Sequence, residues 1–85
     1  MNKLLIELIA STFFLYVILA TKNNAIAVGS ALATTIMLGG DDVNPATTIM
    51  NVMGGKLTMN DAVPAILVQV AGGLVALELH KRVQL

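Results

Sequence analysis

Residues 44–53 read NPATTIMNVM, and this stretch decides the fold of the chain. Asn is among the best residues for capping a helix start, and Pro is favoured at the first helical position, where its missing N–H costs nothing. Asn44 and Pro45 therefore predict a short helix over about residues 45–54, which a Gly-Gly pair stops. Long apolar segments flank this helix, so we expect its positive N-terminal end to lie inside a membrane.

The composition is typical of a membrane protein. Of the 85 residues, 56% are hydrophobic and 12% are charged, roughly half the charged share of an ordinary soluble protein. Apart from Glu7, the charges lie at the two ends and at breaks between apolar segments. This pattern favours a multi-pass protein of the lipid bilayer over a soluble helical hairpin. The net charge is zero, so we expect no nucleic acid partner.

The chain offers no catalytic or metal-binding pattern of residues. It contains no cysteine, which excludes disulfides, thiolate chemistry and cysteine-based metal sites. The single histidine, His80, and the scattered carboxylates do not have the spacing of metal ligands. We therefore expect no metal, no cofactor and no enzymatic activity, since no nucleophile is paired with a base.

Three apolar segments predict membrane-spanning helices, over about residues 4–20, 24–39 and 62–79. The first lies at the lower limit of the roughly 17 to 25 residues that a span needs. Lys3 at its start would also suit a secretory signal peptide. Glu7 within the apolar run, and the hydrophobic chain that follows, favour a retained span instead.

The second segment is the shortest of the three. It is long enough to cross a bilayer only if Asn23, Asn24 and Gly39 are drawn into it. Gly29 and Ala33 are small residues at four-residue spacing, which lets helix backbones approach closely. We therefore expect this helix to face other helices rather than lipid.

The last segment has several polar residues near its start. Thr58, Asn60 or Asp61 can cap it, and Pro64 is predicted to fall in its first turn, where proline is tolerated. Gln69 is its one buried polar residue. Together the elements predict an all-α membrane protein of three transmembrane helices plus one re-entrant half-helix, which at 1.5 Å per residue reaches about halfway across a bilayer.

Several motifs follow one another along the chain at a characteristic spacing. They are Glu7 with Ala10 and Ser11, the Gly29–Thr34 stretch, Asn44-Pro45-Ala46-Thr47-Thr48, Gly54-Gly55-Lys56, Ala62, Gln69 with Gly72, and Ala76. In this order they resemble the first half of a major intrinsic protein, the family of aquaporins and glycerol facilitators. The likeness covers nearly the whole chain, which corresponds to one half-repeat with one NPA box, Asn44-Pro45-Ala46.

The resemblance implies a pore built from two such halves in inverted repeat, with two NPA boxes meeting at its centre. Asn44 would then donate a hydrogen bond to the passing solute, and Pro45 and Ala46 would hold the two helix tips together. Glu7 would brace the loop before the half-helix, with Gln69 as a second structural brace. The alternatives are that Asn44 only caps its helix and that Glu7 carries protons.

The chain departs from the family at the residues that select the solute. Thr47 follows the box where the family's second box has arginine, and Val28 stands at a position that is often aromatic. A pore without the arginine and the aromatic ring would be wider and less polar at its selective constriction. It could therefore pass glycerol-sized neutral solutes as well as water. The loop is about four residues shorter by comparison with relatives, and its Asp41 and Asp42 are interpreted as a solvated pair rather than a cation-attracting mouth.

The basic residues hardly favour one orientation in the membrane. Two of them, Lys3 and Lys56, would lie on one side, and three, Lys22, Lys81 and Arg82, on the other. This predicts insertion in both orientations and an inverted homodimer that forms one pore, with four pores clustering as in the family. A separate protein carrying the second half is the alternative partner. The expected function is a passive channel for water or small neutral solutes, and the alternative is a non-conducting structural membrane or envelope protein.

Overall fold

The computed structural model describes residues 2–40 and 43–83, and the regular structure within them is entirely helical. Its four helices are α1 (Lys3–Ala20), α2 (Ala25–Met37), α3 (Pro45–Met53) and α4 (Met59–Arg82). The predicted all-α class is confirmed. By length and composition, α1 and α4 could each cross a membrane, whereas α2 is apolar but shorter.

Each of these four helices begins at a side-chain cap. Asn2, Asn24, Asn44 and Thr58 each accept a hydrogen bond from the backbone N–H three residues further on. Such a cap satisfies one of the N–H groups that the first turn of a helix leaves without an intrahelical partner. The cap predicted at Asn44 is confirmed, and of the three candidates for the last helix, Thr58, Asn60 and Asp61, the cap is Thr58.

Helix α2 is shorter than the predicted segment 24–39. Asn23 has a left-handed φ of 63° and Asn24 is the cap, while Gly39, with φ 98°, lies beyond the end of the helix. Its 13 residues reach about 20 Å, against a hydrocarbon core of about 30 Å. Gly29 and Ala33, which are expected to face other helices, are exposed in the described chain, and a Cβ on Gly29 would meet nothing within 4 Å.

Helix α4 is longer than predicted at both ends, running over Met59–Arg82 instead of 62–79. Pro64 was predicted to fall in the first turn of this helix, and it lies in the second turn because the helix begins earlier. At that position it has no N–H to donate to the carbonyl of Asn60, and so one bond of the helix is missing.

Helices α1 and α4 lie side by side and point in the same direction. A Cβ added at Gly72 would lie 2.8 Å from the Cβ of Ser11 and 3.1 Å from the backbone nitrogen of Thr12. Further along both helices, the rings of Tyr16 and His80 meet edge to face, with centroids 6.2 Å apart. Because the contacts advance along both helices together, the two are parallel.

Small and polar residues form the core, and most large apolar residues lie outside it. Ile26 is 81% exposed and Leu67 is 65% exposed, whereas Glu7 and Gln69 are almost fully buried. This is the reverse of a soluble protein, whose large aliphatic side chains are inside. The buried residues in the described part of the chain are Ala10, Ala31, Gly40, Val43, Ala62, Ala65, Gly72 and Ala76, together with the polar Glu7, Ser11, Thr35, Thr48 and Gln69.

Between α2 and α4 the chain first passes beside residues 6–11 of α1 and then returns to the start of that helix. A Cβ on Gly39 would lie 3.9 Å from Ile6 and one on Gly40 2.6 Å from the Cβ of Ala10, and the long side chain of Lys3 reaches the carbonyl of Gly39, with Nζ at 2.9 Å. Val43 contacts Glu7 and Ser11 on the same helix. After α3, Leu57 shares a small cavity with Lys3, back at the start of α1. The start of α3 therefore lies deeper than its end.

The contact at Gly72 predicts a sharp difference between two neighbouring glycines. Gly72→Ala should destabilise the protein, because overpacking against the backbone of α1 costs about 1–3 kcal/mol, against about 1 kcal/mol gained in helix propensity. Unfolding in detergent micelles, followed by circular dichroism, measures the change.

Gly73→Ala is the matched control, because its Cβ would meet only the flexible end of Leu15, at 3.3 Å. It should be neutral or stabilising. Equal stability of the two variants would contradict the close approach of α1 and α4.

Candidate functional site

The start of α3 carries the polar groups of the candidate site. Oδ1 of Asn44 accepts a hydrogen bond from the N–H of Thr47 at 2.9 Å, and the carbonyl of Asn44 accepts one from the hydroxyl of Thr48 at 3.2 Å. The side chain of Asn44 is half-buried, and its Nδ2 has no acceptor within residues 2–40 and 43–83. Because the cap uses only the oxygen, both N–H bonds of the amide remain available to a further acceptor.

Val43, directly before Asn44, has an unusual backbone conformation. Its φ is 49° and it is 3% exposed, whereas β-branched residues are rarely left-handed and pay about 1–2 kcal/mol to be so. Its N–H donates to Oε2 of Glu7 at 3.2 Å, and its carbonyl accepts from the hydroxyl of Ser11 at 3.5 Å. Two side chains of α1 therefore hold both backbone polar groups of one strained residue.

Glu7 itself is 1% exposed and has a cation beside it. Nζ of Lys3, one turn earlier on the same helix, lies 3.5 Å from Oε1 of Glu7. The two carboxylate oxygens thus have different partners, the ammonium of Lys3 and the backbone of Val43. A buried charge is tolerated only when it is paired and hydrogen-bonded in this way.

A second contact holds α3 against α4. Nε2 of Gln69 donates to the hydroxyl of Thr48 at 2.8 Å, and the same hydroxyl donates to the carbonyl of Asn44. Oε1 of Gln69 is buried and has no hydrogen-bond partner in the described part of the chain. The sequence singled out Gln69 but not Thr48, whose position four residues after the cap is the signal that could have identified it.

The remaining predicted site residues are not all brought together. Pro45 and Thr47 are half-buried and Ala46 is exposed, all in the first turn of α3. Val28 is half-buried in the first turn of α2, and within the described residues α2 and α3 do not touch. Asp41 and Asp42 lie outside the described residues.

Within residues 2–40 and 43–83, no group of three or more acidic or histidine side chains is placed to hold a metal ion. No protein-family model matches the chain, and no curated protein or solved structure matches it significantly. Function is therefore inferred from the contacts around Asn44, Val43 and Glu7.

The hydrogen bond to Val43 predicts that two substitutions at Glu7 will differ. Glu7→Ala leaves a buried N–H without an acceptor, which costs about 1–3 kcal/mol, and opens a cavity. We expect a clear loss of stability in detergent, measured by thermal unfolding.

Glu7→Gln keeps an oxygen that can accept from Val43 and fills the same space. It should retain most of the stability that Glu7→Ala loses. If the two variants unfolded at the same temperature, the contact with Val43 would have no part in holding the loop.

Proposed function

We propose that this chain forms a passive transmembrane channel for water and small neutral solutes, in which Asn44 donates hydrogen bonds to the solute. One observation carries the proposal, which is the capped start of α3. Val43, directly before it, is held by Glu7 and Ser11 of α1, and the side-chain N–H bonds of Asn44 are directed to no described acceptor. The likeness to one half of a major intrinsic protein supports the same reading.

The chemistry of this helix start suits neutral solutes with oxygen atoms. A water molecule or an alcohol can accept from Nδ2 of Asn44 while Oδ1 stays engaged in the cap. The N-terminal end of α3 carries a partial positive charge, which disfavours the approach of cations and protons. Val28 and Thr47 are neither aromatic nor basic, so glycerol-sized solutes are proposed together with water.

A complete path needs a second half. The nine residues of α3 cover about 13 Å, which is less than half of a hydrocarbon core of about 30 Å. We propose that a second copy of this chain, inverted in the membrane, supplies the other half and places its own Asn44 opposite the first. The nearly balanced basic residues, two at one end and three at the other, favour neither orientation.

In this arrangement α2 is the third transmembrane helix. Since α2 is about 10 Å shorter than the hydrocarbon core, its flanking turns lie at the level of the lipid carbonyls and the bilayer thins around it. The backbone leaves the helical conformation in both turns, at Lys22 and Asn23 before α2 and at Gly39 after it. Its polar groups would lie at the level of the lipid carbonyls. The proposal thus has α1, α2 and α4 crossing and α3 re-entering.

Osmotic swelling of proteoliposomes tests the channel. Purified wild-type protein should raise water permeability well above that of protein-free liposomes, and glycerol should follow more slowly. Permeability equal to that of empty liposomes, with insertion verified by protease protection, would leave the non-conducting structural protein as the function. If labelled termini showed a single orientation, the inverted homodimer would fail and a separate second-half protein would be required.

A charge at the start of α3 should change ion exclusion. Asn44→Asp keeps a good helix cap but places a negative charge where the proposed path is narrowest. If this charge lowers the electrostatic barrier to cations by about 1.4 kcal/mol, cation leak should rise about tenfold. Potassium flux from loaded proteoliposomes measures it.

Asn24→Asp is the matched control. Asn24 caps α2 in the same way, accepting from the N–H of Ala27 at 3.0 Å, but it is exposed at the end of the molecule. This variant should leave cation leak at the wild-type level. Equal leak in both variants would place Asn44 away from the conducting path.

A further inference from the structure

Lys3 links the first turn of α1 to the loop that precedes α3. Its ammonium donates to the carbonyl of Gly39 at 2.9 Å and lies 3.5 Å from the carboxylate of Glu7. Gly39 follows the C-terminal end of α2, where carbonyl groups create partial negative charge and a cation is favoured. One side chain therefore connects α1, the end of α2 and the buried acid.

The pair formed by Lys3 and Glu7 holds the loop at two points. Lys3 bonds Gly39, with φ 98°, and Glu7 bonds Val43, with φ 49°, so the two left-handed residues among the described part of the loop are held from the same face of α1. The loop lies along this face, beside residues 6–11 of α1, where a Cβ on Gly39 would lie 3.9 Å from Ile6 and one on Gly40 2.6 Å from Ala10.

The burial of the two partners is unequal, which determines what each contributes. Glu7 is 1% exposed, whereas the side chain of Lys3 is 52% exposed at the end of the molecule. Removing the Lys3 ammonium takes one charged partner from a buried carboxylate, and losing a partner of a buried charge costs far more than losing one of an exposed charge. The exposed pairs of Glu78 with Lys81 and Arg82, at the other end, are of the weak kind.

We propose that Lys3 is a positioning residue for the loop that leads into α3, because its ammonium bonds the carbonyl of Gly39 and holds the Glu7 carboxylate in line with the N–H of Val43. The inference rests on the proposed channel for its effect on conduction, but not for its effect on the loop. Without Lys3, Glu7 turns toward water at the helix end, Val43 loses its acceptor and relaxes from its left-handed conformation, and Asn44 moves out of line with the path.

The test compares Lys3→Met, Lys3→Arg and Lys56→Met. Lys56 is the control because it lies at the same end of the molecule as Lys3. Its loss therefore removes one basic residue from the same side of the membrane as the loss of Lys3 does. Two quantities are measured for each variant, the hydrogen exchange rate of the Val43 amide by NMR in micelles and the water permeability of proteoliposomes. Thermal unfolding in the same detergent identifies any variant that fails to fold.

We expect Lys3→Met to exchange the Val43 amide at least about tenfold faster than wild type, as for a locally opened segment, and to conduct water several times more slowly. Lys3→Arg, which keeps the charge and can reach two acceptors, should restore both. Lys56→Met should change neither. Combining Lys3→Met with Glu7→Gln, which removes both charges, should return the exchange rate toward that of wild type.

Wild-type exchange of Val43 in Lys3→Met would overturn the role of Lys3, and so would failure of Lys3→Arg to restore slow exchange. A global loss of fold in Lys3→Met, which the double substitution did not repair, would also contradict a countercharge role. If no variant, including wild type, conducts water, the channel proposal fails, while the exchange rates still decide whether Lys3 positions the loop.

Discussion

The hydrogen bond from the N–H of Val43 to the buried carboxylate of Glu7 is the constraint on which the rest of the structure depends. It joins residues 36 apart in the chain and fixes the loop against the first half of α1. A β-branched residue does not stay left-handed unless its surroundings hold it there. Once Val43 is held, Asn44 is directed to begin α3 at that depth, and the helix runs back toward the end from which the loop came.

Small and polar residues fill the interior of this protein, and the large apolar side chains lie outside. In the proposed membrane location, where lipid is as apolar as leucine, hydrophobic burial gives little preference for one packing over another. Close approach at Gly72 and hydrogen bonds at Glu7, Ser11 and Gln69 provide that preference instead. The same contacts that specify the fold therefore converge on the start of α3, where the proposed path runs.

Local chemistry was predictable from the sequence, and longer helices were predictable only in part. A cap acts over three residues, so the start at Asn44 could be recognised without a fold, whereas Thr58 was one of three candidate caps. The ends of α2 could not be predicted in this way, because Asn23 and Gly39 adopt left-handed backbone conformations. A count of apolar residues contains no information on backbone conformation. Pro64 was placed one turn too early for a similar reason, since α4 begins at Met59 and not at 62.

By itself, the sequence determined the helical class, the apolar exterior and the short capped helix in the middle of the chain, because each follows from residue type and near neighbours. Only the tertiary structure decided which groups meet Glu7, namely Val43 on one oxygen and Lys3 on the other, and that Thr48 links α3 to α4. Partners so far apart in the chain are set by how the helices pack. That packing is decided by the summed fit of small residues along α1 and α4, which no local pattern contains.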